Sequence, residues 1–396
     1  MNILHNIYSI APGSFGLGSV ALNLCREQNA LGHRAEIWCN DCAEDVQWAE
    51  TSAGLPAGLI RSFPPVGPKL FRYSPALVAA AAGAEGRGFD LVHQHCLWLA
   101  NSRLPLKLRE KHNLPSVIAP HGSLEPWALR RSAWKKSIAL PLYERSNLRN
   151  ASCLHALSTQ EVAGMRDFGL TNPIAVIANG ISQSWLESKG DAQTFRRRFA
   201  IEPEKRILLY LSRITPIKGL QLLIEALAEI RHEISDWLLV LAGTDEFDHL
   251  REIQELVVRH RLEKHVLFTG LLVDQAKRDA YAAAEIFVLP TRREAAPVVV
   301  LEALGAGVPV LTTKGAPWEN LLTRQCGWWT EITSGAIAEA LKDALGLEPE
   351  ELRCMGARGK ELVAQEYTWA ESARMTILLY GWLLGRGERP GFVLSG

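Results

Sequence analysis

The sequence predicts two α/β domains, each a doubly wound parallel sheet with crossover helices. Short apolar runs alternate with longer amphipathic stretches throughout, the pattern of parallel strands joined by helices. The series of runs breaks at a linker-like segment, 179–205, and then starts afresh. A chain of 396 residues is long enough for two or three separate cores.

Taken in order, the first series places strands over 2–10, 35–39, 90–93, 116–119, 153–156 and 174–177. The second places them over 206–211, 237–242, 265–269, 286–289 and 309–312. Gly180, Gly190 and the basic Arg196, Arg197 and Arg198 mark the segment between them, so the domains are expected over 1–183 and 184–371. Helical patterning continues over 352–384. A C-terminal helix of about 372–396 is expected to pack back on the first domain, with 385–396 reading as a loose, Gly-rich end. Open parallel sheets bind ligands at the carboxyl ends of their strands, so two such sheets are expected to frame a ligand cleft.

Composition narrows the function classes. With 47% apolar and 22% charged residues the chain reads as a globular protein, and no apolar run is long enough for a membrane span. Lys plus Arg (43) balances Asp plus Glu (43), which speaks against a nucleic-acid binder. The balance hides an asymmetry: 17 basic against 13 acidic residues over 1–183, and 26 against 30 beyond. Met1 to His5 lacks the basic start of a secretory signal, so a cytoplasmic location is expected. Seven thinly spread cysteines read as reduced thiols, and the lone Cys39-x-x-Cys42 has no second pair at zinc spacing. No Asp-x-Asp occurs and no His or Cys pair suggests a cage, so neither a metal nor another cofactor is expected.

The strongest local signal runs from Pro290 to Pro309. A strand stops at Pro290, a loop carries Glu294, and a helix opens near Pro297 with Glu302 inside it. Two carboxylates eight apart can reach different parts of one elongated ligand. The helix N-terminus between them, at Val298 and Val299, offers backbone N–H groups suited to phosphate oxygens. Earlier, Arg213 leaves the end of a strand and Lys218 stands just before a helix, a spacing that lets two cations converge on a diphosphate.

Here the sequence resembles the retaining sugar-nucleotide glycosyltransferases of family 4, which have the two-domain GT-B fold. Their E-x7-E element followed by E-A-x-x-x-G-x-P is matched by Glu294, Glu302, Ala303, Gly307 and Pro309, and Arg213-x4-Lys218 matches a second motif. Further matches follow in family order: Asn179-Gly180, Gly243, Gly270 and Lys314-Gly315. The resemblance spans nearly the whole chain and implies a metal-independent transfer from a UDP-, GDP- or ADP-sugar to a hydroxyl acceptor. It gives Arg213 and Lys218 the donor pyrophosphate, Glu302 the ribose hydroxyls and Glu294 the donor sugar. The nucleotide base is expected near Gly270 and Leu271. One departure stands out: Ala295, Ala296 and Pro297 occupy the positions where the family commonly has a small or polar residue, Phe and Gly. Pro297 has no N–H to donate, so any contact through that amide is lost.

In the first half, Gly16 and Gly18 open an apolar-periodic helix and resemble the family's Gly-rich loop facing the donor phosphates and acceptor. Gly16-x-Gly18-x-x-Ala21 with Asp41 also satisfies a dinucleotide fingerprint, which keeps a hydride-transfer enzyme open. A nucleotide-sugar epimerase or hydrolase, and a noncatalytic nucleotide-sugar-binding subunit, stay open too. His121 follows a strand directly and Gly122 lets the chain turn away. The resemblance makes it the histidine that contacts the donor sugar near the reacting bond, whereas His93 and His95 read as structural. Residues 126–149 hold six basic side chains with Trp127 and Trp134 interleaved. That mixture suits an anionic lipid-linked glycan or peripheral contact with the inner face of the plasma membrane, and it equally suits a solvated helix with buried tryptophans.

Overall fold

The structure is a computed structural model and describes residues 1–12, 16–67 and 73–396. It divides into two compact units: Met1–Asn179 with Trp369–Gly396, and Gly180–Thr368. The first unit holds an eight-stranded sheet and the second a six-stranded one.

The first sheet is built from β1 (Asn2–Asn6), β2 (Arg34–Cys39), β3 (Ile60–Ser62), β4 (Leu91–His95), β5 (Ser116–Ala119), β6 (Cys153–Ala156) and β7 (Ile174–Val176). The second is built from β8 (Arg206–Leu211), β9 (Trp237–Ala242), β10 (Val266–Gly270), β11 (Ile286–Leu289), β12 (Val310–Thr313) and β13 (Gly327–Thr330). The chain then returns to the first sheet with β14 (Val393–Leu394), antiparallel to β7. Runs such as Ile207 to Leu211 are apolar at every position because helices cover both faces of a parallel sheet.

The expected strands over 116–119, 153–156, 206–211, 237–242 and 286–289 coincide with β5, β6, β8, β9 and β11. The run over 2–10 is shorter than expected. β1 ends at Asn6, after which Ile7 to Ala11 form a loop pinned to the buried Asp41, whose carboxylate accepts from Ser9 Oγ (2.8 Å) and the Ile10 amide (2.6 Å). The segment 385–396 is not wholly loose, because Val393 pairs with Ala175 and Leu394 with Ile174. Arg166 clasps this edge through the Ser395 carbonyl (2.8 Å).

Strand order matters most for the site. In the second sheet it runs β10-β9-β8-β11-β12-β13, so succession proceeds outward in both directions from the adjacent pair β8 and β11. In the first sheet the corresponding pair is β1 and β4. Loops leaving the carboxyl ends of such a pair diverge and leave a crevice, the usual ligand position in open α/β sheets. Helical patterning over 352–384 resolves into two helices, Pro349–Glu366 in the second unit and Trp369–Leu383 in the first. The latter packs on the helix Leu17–Ala30 through Val20, Leu24, Trp369 and Ala373.

Candidate active site

In the second unit, the loops after β8 and β11 bring together residues far apart in sequence. After β8 the chain runs through Arg213 to a single 3-10 turn, Pro216–Lys218, before the helix Leu220–Glu229. Gly219 joins the two with φ +70°, and a Cβ there would lie 2.0 Å from the Pro290 carbonyl oxygen. Only glycine allows the β8 loop to lie so close against the end of β11. The Arg292 amide donates to the Ile217 carbonyl (2.8 Å) and the Glu294 amide to the Gly315 carbonyl (2.7 Å), tying the Glu294 loop to those after β8 and β12.

The result is a cluster of paired charges. Lys218 is buried and its ammonium contacts the Glu294 carboxylate. Arg213 is half exposed and its guanidinium Nη1 donates to both Glu246 oxygens, at 2.8 and 2.9 Å. Burial and the nearby Arg213 charge lower the Lys218 ammonium to about 8, while Glu246 acts in the opposite direction. The Glu294 contact favours the charged form. Each of the two expected diphosphate-binding cations is therefore neutralised by a carboxylate, and an anionic ligand would have to take the place of one or both.

Glu302 belongs to a second, separate pair. Its carboxylate accepts from Lys277 Nζ (2.5 Å) and from the Tyr281 hydroxyl (3.2 Å), which also contacts the Val299 carbonyl (3.1 Å). Lys277 and Tyr281 stand one turn apart on the helix Asp274–Ala283. Burial and the Glu302 charge push the Tyr281 phenol well above its ordinary range. The helix Val298–Gly305 begins after Pro297, so Val298 and Val299 supply first-turn amides as the sequence suggested. Gly270 ends β10 and the exposed Leu271 follows it, with the Gly243 amide donating to the Gly270 carbonyl (2.9 Å). Glu246, Lys277 and Tyr281 were missed. Glu246 carried a signal, an acidic residue in the loop directly after β9; Lys277 and Tyr281 carried one only in their i,i+4 spacing.

In the first unit, Gly16 adopts φ 89° ahead of the helix Leu17–Ala30, and Gly18 is buried inside that helix. The rest of the expected glycine loop, 13–15, lies outside the described residues. Asp41 is turned toward Ser9 and Ile10, which removes the acidic partner on which the dinucleotide fingerprint relied.

His121 follows β5 with φ 50° and Gly122 with φ 74°. Glu161 holds this left-handed pair, accepting from the Gly122 amide (2.6 Å) and the Leu157 amide (2.7 Å). Behind His121 lies a feature the sequence reading did not foresee. His5 on β1, His93 and His95 on β4 and His155 on β6 are all buried, and His95 Nδ1 lies 3.1 Å from His121 Nε2. His93 and His95 share a sheet face because strand side chains alternate with period two. That spacing was the legible signal. His5, His93 and His95 each offer a nitrogen within 4.8 Å of the others, a grouping able to hold a metal ion and contrary to the expectation that no histidine cage forms. Burial pushes His5 and His155 down to about 4 and His121 to about 3, and lowers His93 and His95 well below the ordinary range.

The segment 126–149 forms short helices, including Pro126–Arg130 and Ala133–Ala139. Trp127, Trp134, Ile138 and Leu142 are exposed on it, and Trp98, Lys135, Lys136, Leu142 and Tyr143 line a cavity of about 180 Å³. Among the described residues, no helix is long and apolar enough to cross a membrane.

Comparison with known proteins places these observations in a wider setting. Residues 15–180 match a family model described as a glycosyl transferase 4-like domain, and 191–362 one described as glycosyl transferases group 1. The GDP-mannose-dependent alpha-(1-6)-phosphatidylinositol monomannoside mannosyltransferase of Mycolicibacterium smegmatis is 27% identical over 228 residues, 54% of this chain. The match covers only 58% of that relative's length. The D-inositol 3-phosphate glycosyltransferase of Kineococcus radiotolerans is 24% identical over 86% of this chain and 82% of its own. Among solved structures, HepE from Anabaena in complex with UDP and glucose superposes with a TM-score of 0.74 at 19% identity, over 95% of this chain and 98% of that one.

Proposed function

This chain belongs to the family 4 type of glycosyltransferases with the GT-B fold, and from that premise we propose that it moves a sugar from a nucleoside-diphosphate sugar to a hydroxyl acceptor with retention of anomeric configuration. The observation that carries this reading is the pair of cations after β8, Arg213 and Lys218, each matched by a carboxylate at the point where strand order diverges. A diphosphate supplies the charge that Glu246 and Glu294 supply in the structure described. As the bond between anomeric carbon and diphosphate oxygen breaks, negative charge grows on the leaving group. On this reading Arg213, Lys218 and the amides of Val298 and Val299 stabilise it without a metal. The acceptor hydroxyl forms the new bond on the same face, and its proton passes to the departing diphosphate. Neither glutamate need form a covalent intermediate.

The donor is a UDP-, GDP- or ADP-sugar, in keeping with relatives named for GDP-mannose or solved with UDP. Its ribose hydroxyls go to Glu302, its base lies by Gly270 and Leu271, and Glu294 with His121 contact the sugar. Gly16, ahead of the helix Leu17–Ala30, and Gly18 in its first turn are the first unit's candidates for the donor phosphate and acceptor. Calorimetry with the bare nucleoside diphosphates tests the assignments: Glu302→Ala weakens nucleotide binding, whereas Glu294→Ala leaves it within a few-fold and impairs transfer. Equal loss of affinity in both variants contradicts those roles. Turnover of donor without any acceptor would favour an epimerase or hydrolase, and the anomeric proton coupling of the product reports retention.

The acceptor we infer is a lipid-linked glycan, approached from the inner face of the plasma membrane by a cytoplasmic protein. The support is local, since exposed Trp127, Trp134 and Leu142 stand among Arg130, Arg131, Lys135 and Lys136. Each basic residue near an anionic bilayer contributes about 1 kcal/mol, and apolar side chains add more when buried. Trp134→Ala/Leu142→Ala is expected to weaken sedimentation with phosphatidylglycerol vesicles by about tenfold or more. Unchanged binding, or binding insensitive to salt, removes the surface from the reading.

A further inference from the structure

We propose that Gln28, His5 and His95 are positioning residues that fix His121 as its Nε2–H tautomer, leaving its Nδ1 lone pair to accept a hydrogen bond from a ligand hydroxyl. The proposal rests on the reading of His121 as a sugar contact, and it assigns that contact a chemistry: the ring accepts, and the sugar hydroxyl donates.

The direction of every bond follows from two fixed ends. Thr376 Oγ1 has a single proton, which goes to the Ala373 carbonyl (2.7 Å). Thr376 can therefore only accept from Gln28, whose Nε2 lies 3.0 Å away. That places Gln28 Oε1, an obligate acceptor, against His5 Nε2 (2.8 Å), so His5 carries its proton there and its Nδ1 is bare. His95 Nε2, 3.0 Å from that Nδ1, must donate to it, which leaves His95 Nδ1 bare in turn. His121 Nε2, 3.1 Å away, then has to be the donor. Among the described residues its ring bonds only through Nε2, which leaves Nδ1 open on a residue that is only partly buried.

A second chain on the same face closes independently. The Ile177 carbonyl can only accept, so His155 donates through Nε2 (2.8 Å). Its bare Nδ1 accepts from His93 Nε2 (3.2 Å), and His93 Nδ1 accepts from the Tyr380 hydroxyl (2.6 Å). All five rings are thus neutral Nε2–H tautomers, and one proton suffices for each link. The lowered pKa values of all five agree with neutral rings. A metal ion on His5, His93 and His95 would need Nδ1 or Nε2 lone pairs that this arrangement already uses.

A neutral ring that accepts at Nδ1 has no charge to offer a phosphate and pairs with a hydroxyl. The far end of the chain, Gln28, is buried and reaches His121 through His5 and His95, while its Nε2 also donates to Thr376 (3.0 Å) and to the Tyr380 hydroxyl (3.5 Å). Two-bond ¹H–¹⁵N correlation spectra of the ¹⁵N-histidine-labelled full chain test this without any variant. The expected result is the Nε2–H pattern for all five rings, unchanged by added zinc. A His121 Nδ1–H pattern, or zinc-induced shifts of His5, His93 and His95, overturns the proposal. Gln28→Leu removes the anchor and is expected to mix the His121 tautomers and lower kcat by about tenfold or more with donor KM held within twofold, because a wrong tautomer disables an otherwise intact site. Loss of kcat in Gln28→Leu with the His121 pattern intact marks a merely structural role and overturns the proposal. Wild-type spectra as assigned, with transfer unaffected in His121→Ala, would instead refute the sugar contact while the hydrogen-bond chain stood.

Discussion

Turnover of the Arg213→Ala/Lys218→Ala variant is expected to fall by about 10² or more, because preorganised charge at a leaving group is worth about 3 kcal/mol or more of transition-state stabilisation. The two cations should contribute unequally. Lys218 is buried against Glu294, so its removal also strands a carboxylate that was paired, and the cost there falls on the loop as well as the chemistry. Arg213 is half exposed beside Glu246 and better screened by water. Lys218→Ala should therefore be the more damaging single change. Glu246→Gln runs the other way: with its competing carboxylate neutralised, Arg213 is free for phosphate, and nucleoside diphosphate affinity should rise a few-fold. Circular dichroism confirms that each variant folds before its rate is measured. Near-normal turnover in the double variant, or weaker nucleotide binding in Glu246→Gln, would show that these charges serve the fold rather than a diphosphate.

Acid should unfold the first unit well before the second. His5, His93, His95, His121 and His155 have folded-state pKa values below the ordinary 6.5, to about 4 for His5 and His155 and about 3 for His121. As pH falls through 6.5 the unfolded chain binds protons that the folded unit refuses, so stability present above 6.5 is lost progressively down to the folded values. Each such ring removes about 1.4 kcal/mol per pH unit across that window. Glu144 and Glu161 oppose this, since burial raises both and the folded unit takes up their protons first. Five against two leaves about three net protons once the unfolded rings are fully charged, or about 4 kcal/mol per pH unit at the acid end of the window. Because the unfolded rings are only half charged at pH 6.5, the loss between pH 6.5 and 5 is about 4 kcal/mol, close to the lower end of a whole domain's stability. Hydrogen exchange corrected for intrinsic rates should show β1, β4 and β6 losing protection near pH 5 while β8 and β11 keep theirs. Equal protection of both sheets at that pH contradicts neutral buried rings.

Much of the architecture could be read from the chain, and the exceptions have physical reasons. Strands buried on both faces, such as β8, β9 and β11, are unbroken apolar runs and declare their own limits. β3, β13 and β14 did not, because each stands at an edge of its sheet, where burial is partial and the apolar run is short or broken. Val393 and Leu394 become a strand only because β7 presents an open edge. For the site, motif order singled out Arg213, Lys218, Glu294 and Glu302, while their partners Glu246, Lys277 and Tyr281 sit on elements that only the sheet order brings near. The histidines illustrate the limit best. Read one at a time, His93 and His95 look like ordinary core polar groups. Their meaning depends on β1, β4 and β6 lying almost side by side and on a helix some 280 residues further along covering them.

That covering helix has a consequence for biosynthesis. Residues 180–368 are in effect inserted into the first unit, which lacks Thr376, Tyr380 and β14 until synthesis has passed position 394. The inserted unit has all its strands by position 330 and can condense while its host still waits on the ribosome with one face of polar rings uncovered. The portion translated first is the one completed last.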